Sequence, residues 1–339
     1  MKFKKIAALS TAVIMSASML VGCGNNKSKE NTDKSFKIGM VADIGGINDE
    51  SFNQSAWEGL QKAEKDFGIE VKVIESKQAS EYLQNMESLL DEDVDMVIGV
   101  GYTMKEDIEK QAKNYPDKQF VLIDETYDSI PENVTPILFR ENEAAYLTGL
   151  VAGKMTENNN VGFIGGIQTP VISRFEYGYK AGVKEANKDC NVNVQYAGTF
   201  SDAAKGKSIA NQMYGNGSDI ILAAAGGTGL GSIESAKEQN KYAIGVDRDQ
   251  SDLAPKNVLT SALKKVNVGV YDTVKEFIEG KLKGGQEKVY GLKEDGVGIP
   301  ETTKNLVPQN IIDYVNSMIE KIKNDEIKVP VTEEEYKSM

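Results

Sequence analysis

The sequence predicts an α/β protein with two doubly wound parallel-sheet lobes joined by a multi-strand hinge. Three observations carry this prediction. From residue 36 onward, short β-branched runs alternate with longer amphipathic segments, which is typical of strand-helix-strand units around a parallel sheet. The chain has 339 residues, more than one small core usually organises. A strand followed by a Gly-Gly turn occurs at 38–46 and again at 161–166, as if one lobe design were used twice.

The first lobe is predicted to contain four strands separated by three helices. The strands are predicted at 37–41, 70–74, 96–100 and 119–123. The helices are predicted at 52–66, 81–90 and 105–114. The first helix has Phe52, Ala56 and Leu60 at steps of four, which defines an apolar face, and Ser51 is its candidate N-cap.

The second lobe is predicted to begin after a helix at 142–155. Its strands are predicted from 161 and at 192–196, 220–224 and 242–246, and its helices at 174–187, 205–213 and 231–239. A strand at 258–263 and a helix at 268–282 are expected to return the chain to the first lobe, before a crossing at 288–299 and a closing helix at 309–323. The predicted lobe ranges are 36–139 with about 260–286, and 140–259 with about 287–328, followed by a C-terminal tail at 329–339.

The N-terminus has the pattern of a signal peptide, predicted to span 1–22. Three lysines among the first five residues precede an uncharged apolar run at 6–21, which is shorter than the roughly 20 residues that span a bilayer. The run ends at Gly22 and Cys23, similar to the site of bacterial lipoprotein signal peptidase. Cys23 is therefore the predicted acylation site, 23–35 is a predicted flexible tether, and the mature protein is expected on the outer face of the cell membrane. An uncleaved anchor is the alternative.

Composition argues against several classes of function. The net charge of −12 disfavours nucleic acid or anionic lipid as the main partner. The absence of histidine removes the Ser-His-Asp and Cys-His systems and most zinc catalysis, so we expect no enzyme, no metal and no cofactor. Cys190 is the only cysteine besides Cys23, so no intramolecular disulfide is expected. A monomer is expected, since no heptad pattern or long apolar edge stands out.

The segment 43–59, DIGGINDESFNQSAWEG, closely resembles the basic membrane protein family of substrate-binding lipoproteins. Further similar segments follow at 161–166, 175–182, 245–250 and 260–264, so that the resemblance covers roughly 36–324. Members with known ligands are largely purine nucleoside receptors of ABC importers. The resemblance implies a type I periplasmic-binding-protein fold, a nucleoside between the lobes and ABC permease subunits as partners.

Two phenylalanines are the candidate contacts for a nucleoside base. Phe52 begins a helix after a Gly-rich turn, where parallel α/β lobes bind ligands, and Phe175 holds the matching place in the second lobe. Two aromatic faces, one from each lobe, would sandwich a flat base when the lobes close. From the residues alone, both side chains could equally belong to the core. The family resemblance favours stacking.

Polar residues near the predicted strand ends are candidates for the rest of the ligand. Asp49, Asn53 and Asp124 suit a base edge because carboxylates accept hydrogen bonds and an amide both donates and accepts. Helix capping for Asp49 and a strand-end turn for Asp124 are the alternatives. Asp247 and Lys264 are candidates for the ribose hydroxyls, with a salt bridge across the hinge as the alternative.

Three further candidates lie in Gly-rich or acidic neighbourhoods. Asp43 lies near the same predicted edge, and Gly226 and Gly227 begin the run GGTGLG, whose spacing fails the dinucleotide fingerprint. The two glycines indicate a close backbone approach to a ligand or a tight turn. Because the candidates include several carboxylates, a nucleoside is expected in preference to a nucleotide.

The sequence thus predicts a lipid-anchored receptor that captures a nucleoside, with purines expected, and delivers it to an ABC importer. A sugar or furanose signal is the alternative ligand in the same fold. A transcription regulator is disfavoured by the secretion signal and the missing basic N-terminal module, and a nucleoside hydrolase by the lack of a calcium loop of recognised spacing.

Overall fold

The computed structural model describes residues 36–339, which contain two six-stranded sheets, each the centre of one lobe. The two-lobed α/β prediction is therefore confirmed. The predicted signal peptide, the acylation site at Cys23 and the tether all lie outside the described residues. Between Phe36 and Met339, no helix combines the length and apolar character needed to cross a membrane.

The first sheet is formed by six strands: β1 (Lys37–Ala42), β2 (Glu70–Glu75), β3 (Met96–Val100), β4 (Gln119–Ile123), β5 (Val134–Phe139) and β11 (Lys288–Tyr290). They are all parallel and lie in the order β11-β5-β4-β3-β1-β2. The connecting helices are α1 (Phe52–Phe67), α2 (Tyr82–Asp91) and α3 (Lys105–Asn114). Every residue of β3 is buried because helices cover both faces of a parallel sheet, which explains its unbroken apolar run.

The second sheet repeats this arrangement. Its strands are β6 (Asn160–Gly165), β7 (Asn191–Tyr196), β8 (Ile220–Ala224), β9 (Tyr242–Asp247), β10 (Val258–Lys264) and β12 (Val297–Gly298), with helices α5 (Pro170–Ala186), α6 (Ala203–Gly215) and α7 (Gly227–Gln239). The order β12-β10-β9-β8-β6-β7 matches the first sheet strand for strand, and only β12 runs antiparallel to its neighbour. The two lobes therefore share one topology, as the repeated Gly-Gly pattern indicated.

The chain crosses between the two sheets three times, which gives the predicted multi-strand hinge. The first crossing leads from β5 to α4 (Glu141–Met155), which packs against β10. The second leads from β10 to α8 (Val266–Ile278), which packs against α1, and the third connects β11 to β12. Each crossing begins at the carboxyl end of a strand, so hinge residues and cleft residues are close in sequence.

Two strands differ from the predicted lobe ranges. The prediction that residues 258–263 return the chain to the first lobe is wrong, because β10 pairs in parallel with β9 in the second sheet. The return comes one element later, with α8. Conversely, β11 was predicted within the second lobe and pairs with β5 in the first sheet. An apolar run predicts a strand without specifying which sheet it joins. The remaining lobe boundaries stay predictions.

Other differences from the prediction are local. β5 was not among the predicted strands. It contains Pro136, a residue that is unusual in a central strand, and Pro136 aligns with Leu122 in the sheet. Helices α5 and α7 begin at Pro170 and Gly227, four residues before their predicted starts. The closing helix α9 (Gln309–Lys323) has the predicted bounds, and the segment predicted as a tail forms α10 (Glu333–Lys337), which packs on α5.

Helices α4 and α5 approach each other at glycines. A Cβ atom on Gly182 would lie 2.0 Å from the Tyr146 carbonyl oxygen, and one on Gly178 would lie 2.3 Å from the Asn142 carbonyl oxygen. Such distances are far below van der Waals contact, so the two backbones touch directly. This close packing fixes the start of α5, which carries Phe175.

We expect Gly182→Ala to destabilise the protein by about 1–3 kcal/mol, because the added methyl group must push α4 and α5 apart. Gly215→Ala is the matched control, since nothing lies within 4 Å of a Cβ there. The control should be neutral or gain about 0.4–1 kcal/mol from reduced freedom of the unfolded chain. Urea unfolding of both variants measures the difference, and equal midpoints would contradict the proposed packing.

Candidate functional site

A cavity lies between the carboxyl ends of the two sheets. We call it the cleft. Residues from both lobes line it, including nine of the ten predicted ligand contacts: Asp43, Asp49, Phe52, Asn53, Asp124, Phe175, Gly226, Asp247 and Lys264. Gly227, the tenth, is not among the lining residues. The cleft therefore has the position that parallel α/β lobes use for ligands.

The prediction missed several lining residues. Tyr102, Thr169, Val171, Ile172 and Phe200 also face the cavity. Tyr102 follows the end of β3, and Phe200 lies in the turn between β7 and α6. Inspection of the residues after every strand, rather than of the Gly-rich turns alone, would have found both aromatic side chains.

Asp49 and Asn53 hold the start of α1. The Asp49 carboxylate accepts hydrogen bonds from the backbone N–H groups of Ser51, Asn53 and Gln54 at 2.9–3.1 Å. The Asn53 side-chain amide donates to Asp43 at 2.7 Å and to Asp49 at 3.0 Å, and its oxygen accepts from the Asp43 backbone N–H at 3.0 Å. Asp49 thus caps the helix, as the structural alternative predicted, and the Asn53 amide hydrogens are both used within the protein.

Asp43 is a half-buried residue that directly follows β1. It accepts from the Gly45 backbone N–H at 2.8 Å and from the Asn53 amide. Burial raises the pKa of Asp43 to about 6, against the opposing effect of these hydrogen bonds. The group is therefore close to its protonation point in mildly acidic solution.

Asp124 and Asp247 occupy equivalent places in the two lobes. Asp124 follows β4 and Asp247 ends β9, and these strands hold the same position in their sheets. Both aspartates adopt a left-handed backbone conformation, with φ of 74° and 64°. This conformation is uncommon for residues other than glycine, and aspartate tolerates it better than most. The two carboxylates are thus aimed into the cleft by matching backbone turns.

Lys264 forms a buried ion pair with Asp124 across the two lobes. Its ammonium group donates to Asp124 Oδ2 and lies 4.6 Å from the centroid of the Phe52 ring. The side chains of Lys264 and Asp124 are only 2% and 8% exposed. The second oxygen, Asp124 Oδ1, is buried and has no hydrogen-bond partner among residues 36–339. It is therefore an unused acceptor on a residue that lines the cleft.

Asp247 is held by the opposite lobe. The Ser51 hydroxyl donates to Asp247 Oδ2, so Ser51 stands at the N-cap position of α1 but uses its side chain across the cleft. Burial raises the pKa of Asp247 to about 6, while Lys264 and Ser51 favour the ionised form. The ionised carboxylate is thus costly to maintain in the ligand-free protein.

The rim of the cleft is closed by charged side chains that we call the latch. Arg248 donates to Glu50 Oε2 at 2.6 Å and to Glu58 Oε1 at 2.7 Å, and these three side chains are 24%, 42% and 39% exposed. The Gln250 side-chain amide donates to the Glu50 carbonyl oxygen at 2.8 Å. The loop after β9 therefore holds the start of α1 from the other lobe.

The Gly-rich run after β8 serves helix packing as well as the cleft. Gly226 lines the cleft with a φ of 52°, in the left-handed region that favours glycine. A Cβ atom on Gly231 would lie 1.8 Å from the Ala203 carbonyl oxygen, and one on Gly206 would lie 1.9 Å from that of Thr228. Gly231 at the end of the run and Gly206 on the neighbouring helix thus allow α6 and α7 to touch. Within residues 36–339, no group of three or more His, Cys, Asp or Glu side chains is arranged to hold a metal.

We expect Asp247→Asn to stabilise the ligand-free protein by about 1–3 kcal/mol near pH 7.5, because the neutral amide removes the cost of a buried charge. A folded-state pKa of about 6 exceeds the ordinary value of 3.8, so the stability linked to this carboxyl is full below 3.8 and is lost as the pH rises through about 6. The gain should therefore shrink at about pH 4. Urea unfolding at the two pH values tests this, and a variant less stable than the parent near pH 7.5 would refute it.

We expect Arg248→Ala to open the ligand-free protein, because the substitution removes both ion pairs of the latch. Small-angle scattering should show a larger radius of gyration. Lys207→Ala is the matched control, since Lys207 pairs with Glu234 and Glu238 at similar exposure but within one lobe. An unchanged radius for Arg248→Ala, or an equal increase for Lys207→Ala, would show that the latch does not hold the lobes together.

Comparisons with known proteins identify the family. Residues 36–333 match the Bmp family model, described as "ABC transporter substrate-binding protein PnrA-like". The chain is 39% identical to a CD4+ T-cell-stimulating antigen of Listeria monocytogenes, over 96% of this chain and 99% of the relative. It is 37% identical to the ABC transporter nucleoside-binding protein BmpA of Lactococcus lactis, over 97% and 98% of the two chains.

A solute-binding protein of an ABC transporter system from Aeropyrum pernix superposes with a TM-score of 0.82 at 27% identity, covering 89% of this chain and 96% of that one. The resemblance found in the sequence is confirmed: the chain belongs to the Bmp family of ABC transporter substrate-binding proteins.

Proposed function

We propose that this protein is the nucleoside receptor of an ABC importer, with purine nucleosides as its ligands. Membership of the Bmp family establishes the general role of the protein. Proteins of this family bind substrates for ABC transporters outside the cytoplasm, work with permease subunits and are not enzymes. The proposal adds the class of ligand and the residues that recognise it. The name of the Lactococcus lactis relative, a nucleoside-binding protein, supports the class of ligand.

The observation that carries the proposal is the combination of aromatic and carboxylate groups in one closed cleft. Phe52 from the first lobe and Phe175 from the second both line the cavity. Each aromatic face that stacks on a base contributes about 1–3 kcal/mol in nucleic-acid proteins. The cleft is lined by both lobes and combines apolar and aromatic side chains with a few polar groups, as small-molecule sites do.

The polar groups of the cleft suit a ligand rich in hydrogen-bond donors. Asp124 Oδ1 is a vacant acceptor, and we assign it to the exocyclic amine or ring N–H of the base. Asp247, beside Lys264, is assigned to the ribose hydroxyls, since a carboxylate accepts from a diol and an ammonium donates to sugar oxygens. Asp43, Asp49 and Asn53 position these groups through their mutual hydrogen bonds.

The charge of the cleft supports a neutral ligand. Four aspartates and one lysine line the cavity. The two carboxyl groups with a pKa of about 6 already repel additional negative charge at neutral pH. A phosphate group would meet this field without a free cation to neutralise it, because the Lys264 ammonium is paired with Asp124. A nucleoside is thus preferred over a nucleotide.

Lipid attachment at Cys23 and a monomeric state complete the proposal. The anchor rests on the signal pattern at 1–22 and on the cysteine that follows it. A lipid on Cys23 would keep the receptor beside its permease, because about 0.8 kcal/mol per buried CH₂ makes two or three acyl chains a stable anchor.

Calorimetric titration of residues 24–339, refolded to remove any co-purified ligand, tests the proposal. We expect guanosine, adenosine or inosine to bind tightly, and ribose and GMP to bind at least about 100-fold more weakly, since one lacks the stacked base and the other adds a repelled charge. Binding of ribose without a response to nucleosides would replace the proposal by a sugar receptor.

The aromatic sandwich has its own test. Phe52→Leu should weaken binding of the preferred nucleoside by about tenfold or more, because an aliphatic side chain cannot stack on the base. Phe67→Leu is the matched control on the same helix, since Phe67 stacks on Tyr271 at 5.4 Å and does not line the cleft. Equal effects of the two substitutions would leave Phe52 as a packing residue only.

A further inference from the structure

A second cavity, open to solvent, lies beside the cleft, and we call it the side groove. It lies between the ends of β5 and β11 in the first lobe and the start of α5 in the second, near two of the chain crossings. Tyr102, Asp124, Thr169 and Val171 line both cavities, so these four residues form the boundary between the groove and the cleft. Its outer end reaches solvent at Val289, which is 37% exposed.

The floor of the side groove is apolar, and its charged walls are engaged by other residues. Leu138, Phe139 and Val289 line it from the first lobe. Glu125 pairs with Lys105 at 3.5 Å, and the Thr126 hydroxyl donates to Glu287 at 3.0 Å.

On the opposite wall, Arg174 donates through Nε to the fully buried Glu141 at 2.6 Å. These pairings reduce the net charge that a ligand would meet. The groove therefore suits an uncharged, largely apolar group.

Asp124 stands at the junction of the two cavities. Its Oδ2 is occupied by Lys264, whereas Oδ1 is buried and vacant. Under the proposed function, the exocyclic amine of the base faces this oxygen. An amine that carries one substituent keeps one N–H to donate to Asp124, while its substituent points past Asp124 into the side groove. A doubly substituted amine has no hydrogen left and leaves the acceptor unsatisfied.

We infer that the side groove is a binding site for an apolar substituent on the exocyclic amine of the base, so that this receptor accepts N-substituted purine nucleosides as well as plain ones. The inference rests on the proposed function, because it uses the orientation in which the base edge meets Asp124. It adds a second cavity to the recognition site and makes Asp124 the residue that discriminates single from double substitution.

Calorimetric titration with adenosine, N6-benzyladenosine and N6,N6-dimethyladenosine tests the inference. We expect N6-benzyladenosine to bind within about tenfold of adenosine, and the smaller dimethyl compound to bind at least about tenfold more weakly than adenosine, since it cannot donate to Asp124. Failure of all three compounds and of the other purine nucleosides would overturn the proposed function itself. Binding of adenosine with loss of N6-benzyladenosine would overturn the side-groove inference alone.

A substitution that fills the groove provides the structural control. Val289→Trp should weaken binding of N6-benzyladenosine by about tenfold or more and leave adenosine unchanged, because the indole occupies the groove without entering the cleft. Leu253→Trp is the matched substitution at a residue that is 39% exposed and lines neither cavity. If Val289→Trp leaves both ligands unaffected, or weakens both equally, the benzyl group does not occupy the side groove.

Discussion

The buried ion pair between Lys264 and Asp124 is the interaction on which the closed arrangement of the two lobes depends. It joins the end of β10 in the second sheet to the end of β4 in the first, and water hardly reaches either side chain. Two charges removed from water repay their desolvation only when they remain in close contact. Opening of the lobes would separate these strand ends, so the pair couples the distance between the lobes to the charge balance of the cleft.

The other carboxylates of the cleft extend this coupling. Loss of contact with water is the main reason that the pKa of Asp43 and the pKa of Asp247 are each raised to about 6. The ligand-free cleft is therefore a strained electrostatic environment, which a ligand with several N–H and O–H groups would relax. Under the proposed function, the same side chains set the stability of the empty protein and its affinity for the ligand, so improvement of one is expected to reduce the other.

The structure brings nine of the ten predicted site residues to one cleft, because topology does most of the positioning. Parallel strands bring their carboxyl ends to one edge, so Asp124 and Asp247 could be assigned to the cleft without knowledge of any contact. Sheet membership was harder to predict. The residues of β10 form a buried strand in either lobe, and only the pairing with β9 decides between them.

The roles of the glycines in the run after β8 were also difficult to predict. Gly226 and Gly227 were both predicted near the ligand, but a sequence does not reveal what approaches a missing side chain. Gly226 faces the cleft, whereas Gly231 at the end of the same run touches a neighbouring helix. Hydrogen bonds between side chains that are distant in sequence were not predicted either. The Ser51 hydroxyl donates to Asp247, which lies 196 positions further along the chain.

The exposure of the latch makes closure sensitive to the surroundings of the cell. Arg248, Glu50 and Glu58 are partly accessible to solvent, so dissolved ions screen their attraction over a Debye length of roughly 8 Å at physiological ionic strength and about 3 Å at 1 M salt. The Lys264–Asp124 pair is shielded from this effect by burial. A receptor that works outside the cytoplasm meets fluids of varying salinity, and its rim would loosen in saline media while its deep contacts keep their strength. External salt would then change the lifetime of the closed complex more than it changes which molecule is captured.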